Sequence, residues 1–253
     1  MIRETSPRSL GIGLVLVLIV SPTFASTPCD QWQLVNPLPA TADLLGATHG
    51  NGMFIFVGRD GTVLSSPDEV GWRLSEAVTA HDLHAVEWTG QRYVAVGSMG
   101  TVLTSEDGVS WSTGDIPVTT TLHDLAMGPV LVAVGSNGTI VSSQDGLSWT
   151  REESGTTSDL RGLVWTGSEY LAVGNQPEIL ASTDGSDWAI RDVGHDGPFT
   201  CIADNGVTTV VLAEDGSTWV SLNGIQWTRG SGAHHLTDVV WSGDRFVAVG
   251  GPD

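Results

Sequence analysis

Ser105-Glu106-Asp107-Gly108-Val109-Ser110-Trp111 is one of several copies of a single segment. It returns as Ser143-Gln144-Asp145-Gly146-Leu147-Ser148-Trp149, as Ser182-Thr183-Asp184-Gly185-Ser186-Asp187-Trp188, and as Ser221-Leu222-Asn223-Gly224-Ile225-Gln226-Trp227. A degraded copy runs from Ser66-Pro67-Asp68 to Trp72. The spacing between successive tryptophans is 39, 38, 39 and 39 residues. A fixed period of this size marks a repeat architecture. Residues that recur in every copy therefore serve the frame, because a catalytic group is needed once.

Aligned on the tryptophan, each unit resolves into four short apolar segments. The first is Leu83-His84-Ala85-Val86-Glu87-Trp88 and the second Tyr93-Val94-Ala95-Val96-Gly97. The third is Thr101-Val102-Leu103-Thr104-Ser105, and the fourth starts at the repeat tryptophan. Each is β-branched or aromatic and bounded by turn residues, as strands are. Thr89-Gly90, Thr166-Gly167, Asn205-Gly206 and Ser242-Gly243 are read as tight hairpins between the first two strands. Met99-Gly100, Asn137-Gly138, Asp60-Gly61 and Asp215-Gly216 are read the same way between strands two and three. Four short antiparallel strands per unit of about 40 residues predict an all-β propeller built of four-stranded blades. Blades start near residues 44, 83, 122, 160 and 199, and a partial sixth starts at 236.

Within a blade the Ser-x-Asp-Gly-x-x-Trp segment joins strands three and four. The Asp and Ser side chains are suited to binding nearby backbone N–H groups and fixing the turn. Tryptophan lays its apolar face on the sheet and has an N–H to offer a carbonyl. The segment resembles the Asp-box of the BNR-repeat propellers, the superfamily that holds the sialidases and the photosystem II stability/assembly factor family. The good copies together with the Val-Ala-Val-Gly strand resemble the assembly-factor branch more than the sialidases. The resemblance covers about residues 30 to 253 and implies fold far more strongly than activity. It makes Ser66, Asp68, Trp72, Ser105, Asp107, Gly108, Trp111, Ser143, Asp145, Gly146, Trp149, Ser182, Asp184, Gly185, Trp188, Ser221, Asn223, Gly224 and Trp227 structural box residues.

The blade count leaves a ring to close. Blade six reaches Gly250, and the chain given stops at Asp253. At the other end, Gln31-Trp32-Gln33-Leu34 stands 40 residues before Trp72, where an outer strand belongs. Either this is a piece of a six- or seven-blade protein, or its last blade has three strands. Truncation is the expectation, because the alternative leaves an open sheet edge.

Residues 1–25 carry Arg3 and Arg8, an apolar run from Leu10 to Val20, and small residues at Thr23-Phe24-Ala25. This pattern predicts a secretory signal peptide, a retained N-terminal anchor being the alternative. No later stretch is long and apolar enough for a membrane span. Removing the leader takes the basic count from 10 to 8 and the acidic count from 29 to 28, a net charge of −20 with no lysine. Such a surface repels nucleic acid and anionic lipid. The expected setting is secreted or periplasmic. Cys29 and Cys201 could pair in that setting, although they occupy unlike repeat positions.

Sialidase chemistry needs an arginine triad, a tyrosine nucleophile with a glutamate partner, and an acid/base aspartate. Here Arg73, Arg151 and Arg229 follow repeat tryptophans, and Arg92 and Arg245 sit at equivalent turns. Only Arg161 and Arg59 are placed to face a central pocket. Tyr93 and Tyr170 share a position that Phe54 and Phe246 also fill, which marks a core site. His81, His84, His123, His195, His234 and His235 are expected near one face or its channel mouth, close to Asp82, Asp124 and Asp196. A metal or anion site there is conceivable, but no ligand spacing repeats. Trp219 alone among the tryptophans lacks a repeat explanation. No cofactor, metal ligand or catalytic set is assigned. The resemblance implies a non-enzymatic scaffold binding a protein partner through its inter-blade loops, 74–82, 113–121, 152–159, 189–198 and 228–235. A glycan-binding or glycosidase relative is the alternative.

Overall fold

A computed structural model describes residues 42–76, 78–230 and 236–250. The leader, Cys29, Trp32, His234 and His235 lie outside the described residues. Within them are five four-stranded antiparallel sheets and one two-stranded sheet, each with its strands in chain order. First strands run Leu44–Gly50, Leu83–Trp88, Leu122–Met127, Leu160–Trp165, Phe199–Asp204 and Leu236–Trp241. Each first strand packs against that of the next blade, so the first strands are the inner ones. The short outer strands begin one residue past the tryptophan in blades one to four, and at Trp227 in blade five.

The core lies between blades. The second strand, Tyr93–Gly97, is buried along its whole length. Because side chains alternate across a sheet, Val94 and Val96 join the cluster shared with blade three, while Tyr93 and Ala95 join that shared with blade one. The pattern repeats with Val132 and Val134 facing blade four, and Leu171 and Val173 facing blade five. Burying each such valine or leucine contributes about 1.5–3 kcal/mol, so the blades hold one another.

Polar groups lock the same interfaces. Tyr93 is fully buried and donates its hydroxyl to the Gly50 carbonyl of the preceding blade. Tyr170 does the same to Val130, and its oxygen accepts the Val130 N–H at 3.2 Å. Both tyrosines are core residues, as their shared position implied, but each also latches a neighbour.

The turns differ in detail from the sequence reading. Residues 89–92 form a longer loop between paired Trp88 and Tyr93, closed by Thr89 N–H to the Arg92 carbonyl at 2.9 Å. The turns between strands two and three are tight. Thr101 N–H reaches the Ser98 carbonyl at 3.1 Å, and both Met99 and Gly100 have positive φ.

Side chains hold the box turns. Ser105 Oγ accepts the Gly108 N–H at 2.8 Å, and Asp107 Oδ1 accepts the N–H groups of Val109 at 2.8 Å and Ser110 at 2.7 Å. Those donors hold the Asp107 carboxyl down at about 2. Asn223 fills the same place in blade five, its amide oxygen accepting from Ile225 and Gln226. The indole expectation needs correction. Trp72 and Trp188 donate to backbone carbonyls at 3.1 Å, while the N–H groups of Trp111, Trp149 and Trp227 are buried without a partner. For these three, apolar packing is what anchors the box.

Candidate functional site at the channel mouth

Every inner strand carries a β-bulge at its second residue. The register to strand two shifts between Leu44 and Gly46, Leu83 and Ala85, Leu122 and Asp124, Leu160 and Gly162, Phe199 and Cys201, and Leu236 and Asp238. A bulge inserts one unpaired residue and re-aims its side chain. The inserted residues are Leu45, His84, His123, Arg161, Thr200 and Thr237. A repeated backbone irregularity thus displays side chains of four kinds: one leucine, two histidines, one arginine and two threonines.

The set lies at the end where the inter-blade connections gather. His84 Nε2 meets Ser98 Oγ at 3.1 Å and His123 Nε2 meets Ser136 Oγ at 2.9 Å, both serines opening turns between strands two and three. The turn of one blade is pinned to the connection into the next: Asp60 N–H donates to Asp82 Oδ1 at 3.0 Å, and Asn137 N–H to Asp159 Oδ1 at 2.9 Å. The rings of His84 and His123 stand 5.7 Å apart. Burial lowers the pKa of both; Asp82 partly offsets this at His84, and at His123 the neighbouring His84 ring adds to it while Asp159 opposes it. Both imidazoles are therefore biased toward the neutral form.

One residue deeper, the third position holds Asp124, Cys201 and Asp238. Asp124 accepts the N–H of Leu125 at 2.9 Å and, across the blade interface, that of Leu163 at 2.8 Å. Desolvation pushes its pKa up to about 7 against those donors, with Asp238 and Glu87 adding repulsion. Glu87 rises to about 7 by burial, and Cys201, a buried thiol, to about 12. Carboxyls of blades two and six thus act on that of blade three, Asp124.

The other candidates are dispersed. Arg59 pairs with Asp43 at 3.1 Å, Arg92 with Glu106 at 3.7 Å, Arg229 with Asp215 at 2.9 Å and Arg245 with Asp244 at 2.8 Å. Arg73 and Arg151 are exposed on outer strands, so of the arginine candidates Arg161 alone joins the bulge set. His81 Nδ1 meets Thr101 Oγ1 at 2.8 Å. His195 stacks on Phe199 and on Trp219, at 5.1 and 5.5 Å. This accounts for Trp219, which is buried and donates its indole N–H to Ser217 Oγ at 3.1 Å. Among the described residues no group of three His, Cys, Asp or Glu side chains has a metal-holding arrangement. The same residues include no helix long and apolar enough to cross a membrane.

Sequence reasoning missed the bulge and one tie at the far end of the blades. The bulge itself leaves no composition signal, although the second position varies while the first stays Leu or Phe. Arg191 was also overlooked. It forms a bidentate pair with Glu169, at 2.6 and 2.8 Å, and donates to the Gly224 carbonyl of the next blade's box at 2.9 Å.

Open clefts recur on this end. One of about 540 Å³ is lined by Asn137, Arg151, Glu152 and Gln176, and one of about 470 Å³ by Asp60, Thr62, Leu74 and Glu76.

Comparison with known proteins sets the frame. No family model matches the chain, and no curated protein matches it. Solved structures do. YCF48 from Cyanidioschyzon merolae superposes with a TM-score of 0.67 at 18% identity, over 85% of this chain and 81% of that one. The computationally designed Ika8 protein gives 0.68 at 15% identity, over 83% and 68%. A chain of the nidogen/laminin complex gives 0.62 at 11% identity, over 79% and 86%. At these identities the likeness is one of fold, and the chain is an all-β repeat protein of the propeller type, similar to YCF48 and to the nidogen/laminin chain.

Proposed function

We propose that the chain is an exported, non-enzymatic propeller that binds a protein partner through its connection-bearing end. The observation that carries this reading is the bulge set, six side chains of four kinds displayed by a repeating frame. Recognition concentrates on such variable positions over a rigid scaffold. Residues that would otherwise suggest chemistry serve the frame: the box aspartates bind their own turns, and the two tyrosines bind neighbouring blades. The leader-like residues 1–25 motivate export. The strong negative charge favours a basic partner, in contrast to the basic face that the resemblance to photosystem assembly factors implies.

The test is affinity capture with crosslinking from the exported fraction, using the full tagged chain. Arg161→Glu and His123→Ala should each reduce capture of a specific protein at least tenfold. Arg73→Glu, on an outer strand, should not. Absence of a specific partner, or equal loss with all three variants, overturns the reading. Saturable retention on a glycan array instead would favour the glycan-binding alternative.

A further inference from the structure

We propose that the box-bearing end of blade five is a second protein-docking surface, one that takes a segment with apolar side chains flanked by lysine or arginine. This goes beyond the reading above, because the boxes and the loops between strands one and two lie at the opposite end of the blades from the channel mouth.

The argument starts from the repeat. Val207 is 71% exposed and Leu222 75% exposed. At the position of Val207, blades two, four and six carry Gln91, Ser168 and Asp244. At the position of Leu222, blades two to four carry Glu106, Gln144 and Thr183. All six of these counterparts are polar and exposed, including those in blades with complete neighbours on both sides. Exposure is therefore a property of the positions; blades one and three carry an exposed proline at one of them, and a large aliphatic side chain at both is a property of blade five. The pairing of Thr209 with Ser221 places the two residues beside each other across the ladder end. Ile225, 65% exposed in the same box, extends the patch, although that box position is apolar in most copies.

Nothing in the frame compensates for these side chains. Each forgoes the transfer free energy that burial would supply, and a contiguous apolar patch rimmed by polar groups marks an interaction surface. The charge of the rim selects the occupant. Asp187 and Asp204 lie at the same end, as do Asp184 and Asp244, and the arginines nearest the patch, Arg191 and Arg245, are paired with Glu169 and Asp244. The chain holds no lysine and carries a net charge of −19, so a second copy would meet long-range repulsion. An apolar segment with flanking cations fits the patch in both respects.

The test uses methyl NMR on the full chain, with the acetylated amide of Lys-Leu-Lys-Leu-Lys as probe. The methyls of Val207, Leu222 and Ile225 should shift saturably, while those of Val70, 80% exposed at the box position of Ile225 in blade one, should not. Glu-Leu-Glu-Leu-Glu and Lys-Ser-Lys-Ser-Lys should each bind at least tenfold more weakly. The double variant Val207→Gln/Leu222→Glu installs blade two's own residues, so it should fold normally and lose at least tenfold in affinity. Equal shifts at Val70, or unchanged affinity in the double variant, overturns the proposal. The variant leaves the channel mouth untouched, so partner capture through that end fails or succeeds separately.

Discussion

Asp124 of blade three accepts the backbone N–H of Leu163 in blade four at 2.8 Å, tying two inner strands through a side chain. Blade five carries Cys201 at the corresponding position and so offers blade six no carboxylate there. Asp238, in the third position of blade six, accepts only its own neighbour's N–H, that of Val239 at 2.8 Å, among the described residues. Removing the Asp124 acceptor should leave the Leu163 N–H buried and unsatisfied. Asp124→Ala is expected to cost about 1–3 kcal/mol, read as a lower urea midpoint with unchanged slope.

The channel carboxyls give stability a pH dependence of definite sign. Glu87 titrates at about 7 in the fold, against roughly 4.3 in an unfolded chain. A raised carboxyl pKa means that the fold favours the neutral form. The contribution of Glu87 is fully present below pH ~4 and is lost as pH rises from there through about 7. Glu87→Gln should therefore stabilise the protein at pH 8, by on the order of 2 kcal/mol, and change little at pH 4. Melting temperatures of both forms across that range check it. An equal effect at the two pH values would contradict the assignment.

Blade one's degraded box stores backbone strain. Glu69 stands where the other boxes have glycine and adopts φ 63°, close to the 73° of Gly108. A side chain in this left-handed region costs about 1–2 kcal/mol, offset in part by the extra unfolded-state freedom of glycine. Its carbonyl still receives the Trp72 indole N–H, a contact that survives substitution. Glu69→Gly should stabilise the fold by about 0.5–1 kcal/mol, seen as a small rise in melting temperature.

How far the sequence disclosed this structure follows from what repeats. The box turns and the buried Val94 and Val96 repeat, and periodic comparison found them before any geometry was known. His84, His123 and Arg161 were readable as inner-strand residues. Their convergence depends on a bulge, which alters register without altering composition. The hydroxyl latch of Tyr93 was hidden for the opposite reason: phenylalanine at the same position in blades one and six made the tyrosines look like plain core residues. Pairs such as Arg191 with Glu169 cross a loop and a strand, and no spacing rule connects them.

The Asp-box substitutions separate charge from geometry. Asn223 shows that an amide oxygen serves the turn as well as a carboxylate. Asp107→Asn should therefore change stability little at pH 7, whereas Asp107→Ala loses the acceptor for two backbone donors. The depressed pKa of Asp107, about 2, adds an acid limb. Its contribution is present above pH ~4 and lost as pH falls toward 2. Asp107→Asn should flatten that limb in acid unfolding curves, and Asp107→Ala should lower stability across the whole range above it.

The glycine that ends each Val-Ala-Val-Gly strand makes the last prediction. At Gly97 the backbone is extended, with φ −169°, so no conformational strain calls for glycine. The requirement is space. A Cβ there would stand 2.0 Å from the Asp82 carbonyl oxygen, on the segment that leads into the inner strand. That oxygen accepts the Ser98 N–H at 2.8 Å, so the clash pushes against a hydrogen bond that fixes the channel-mouth turn. Blade five carries Ala213 at this position, and there the Glu214 N–H to Pro198 carbonyl contact is longer, 3.1 Å. The frame can thus open locally to admit a methyl group, at a cost. Gly97→Ala should destabilise by about 1–3 kcal/mol and move the His84 resonances, because Ser98 shifts with the turn. Ala213→Gly should change stability by less than about 1 kcal/mol. Equal effects of the two substitutions would show that backbone freedom, and not the approach of Asp82, selects glycine here.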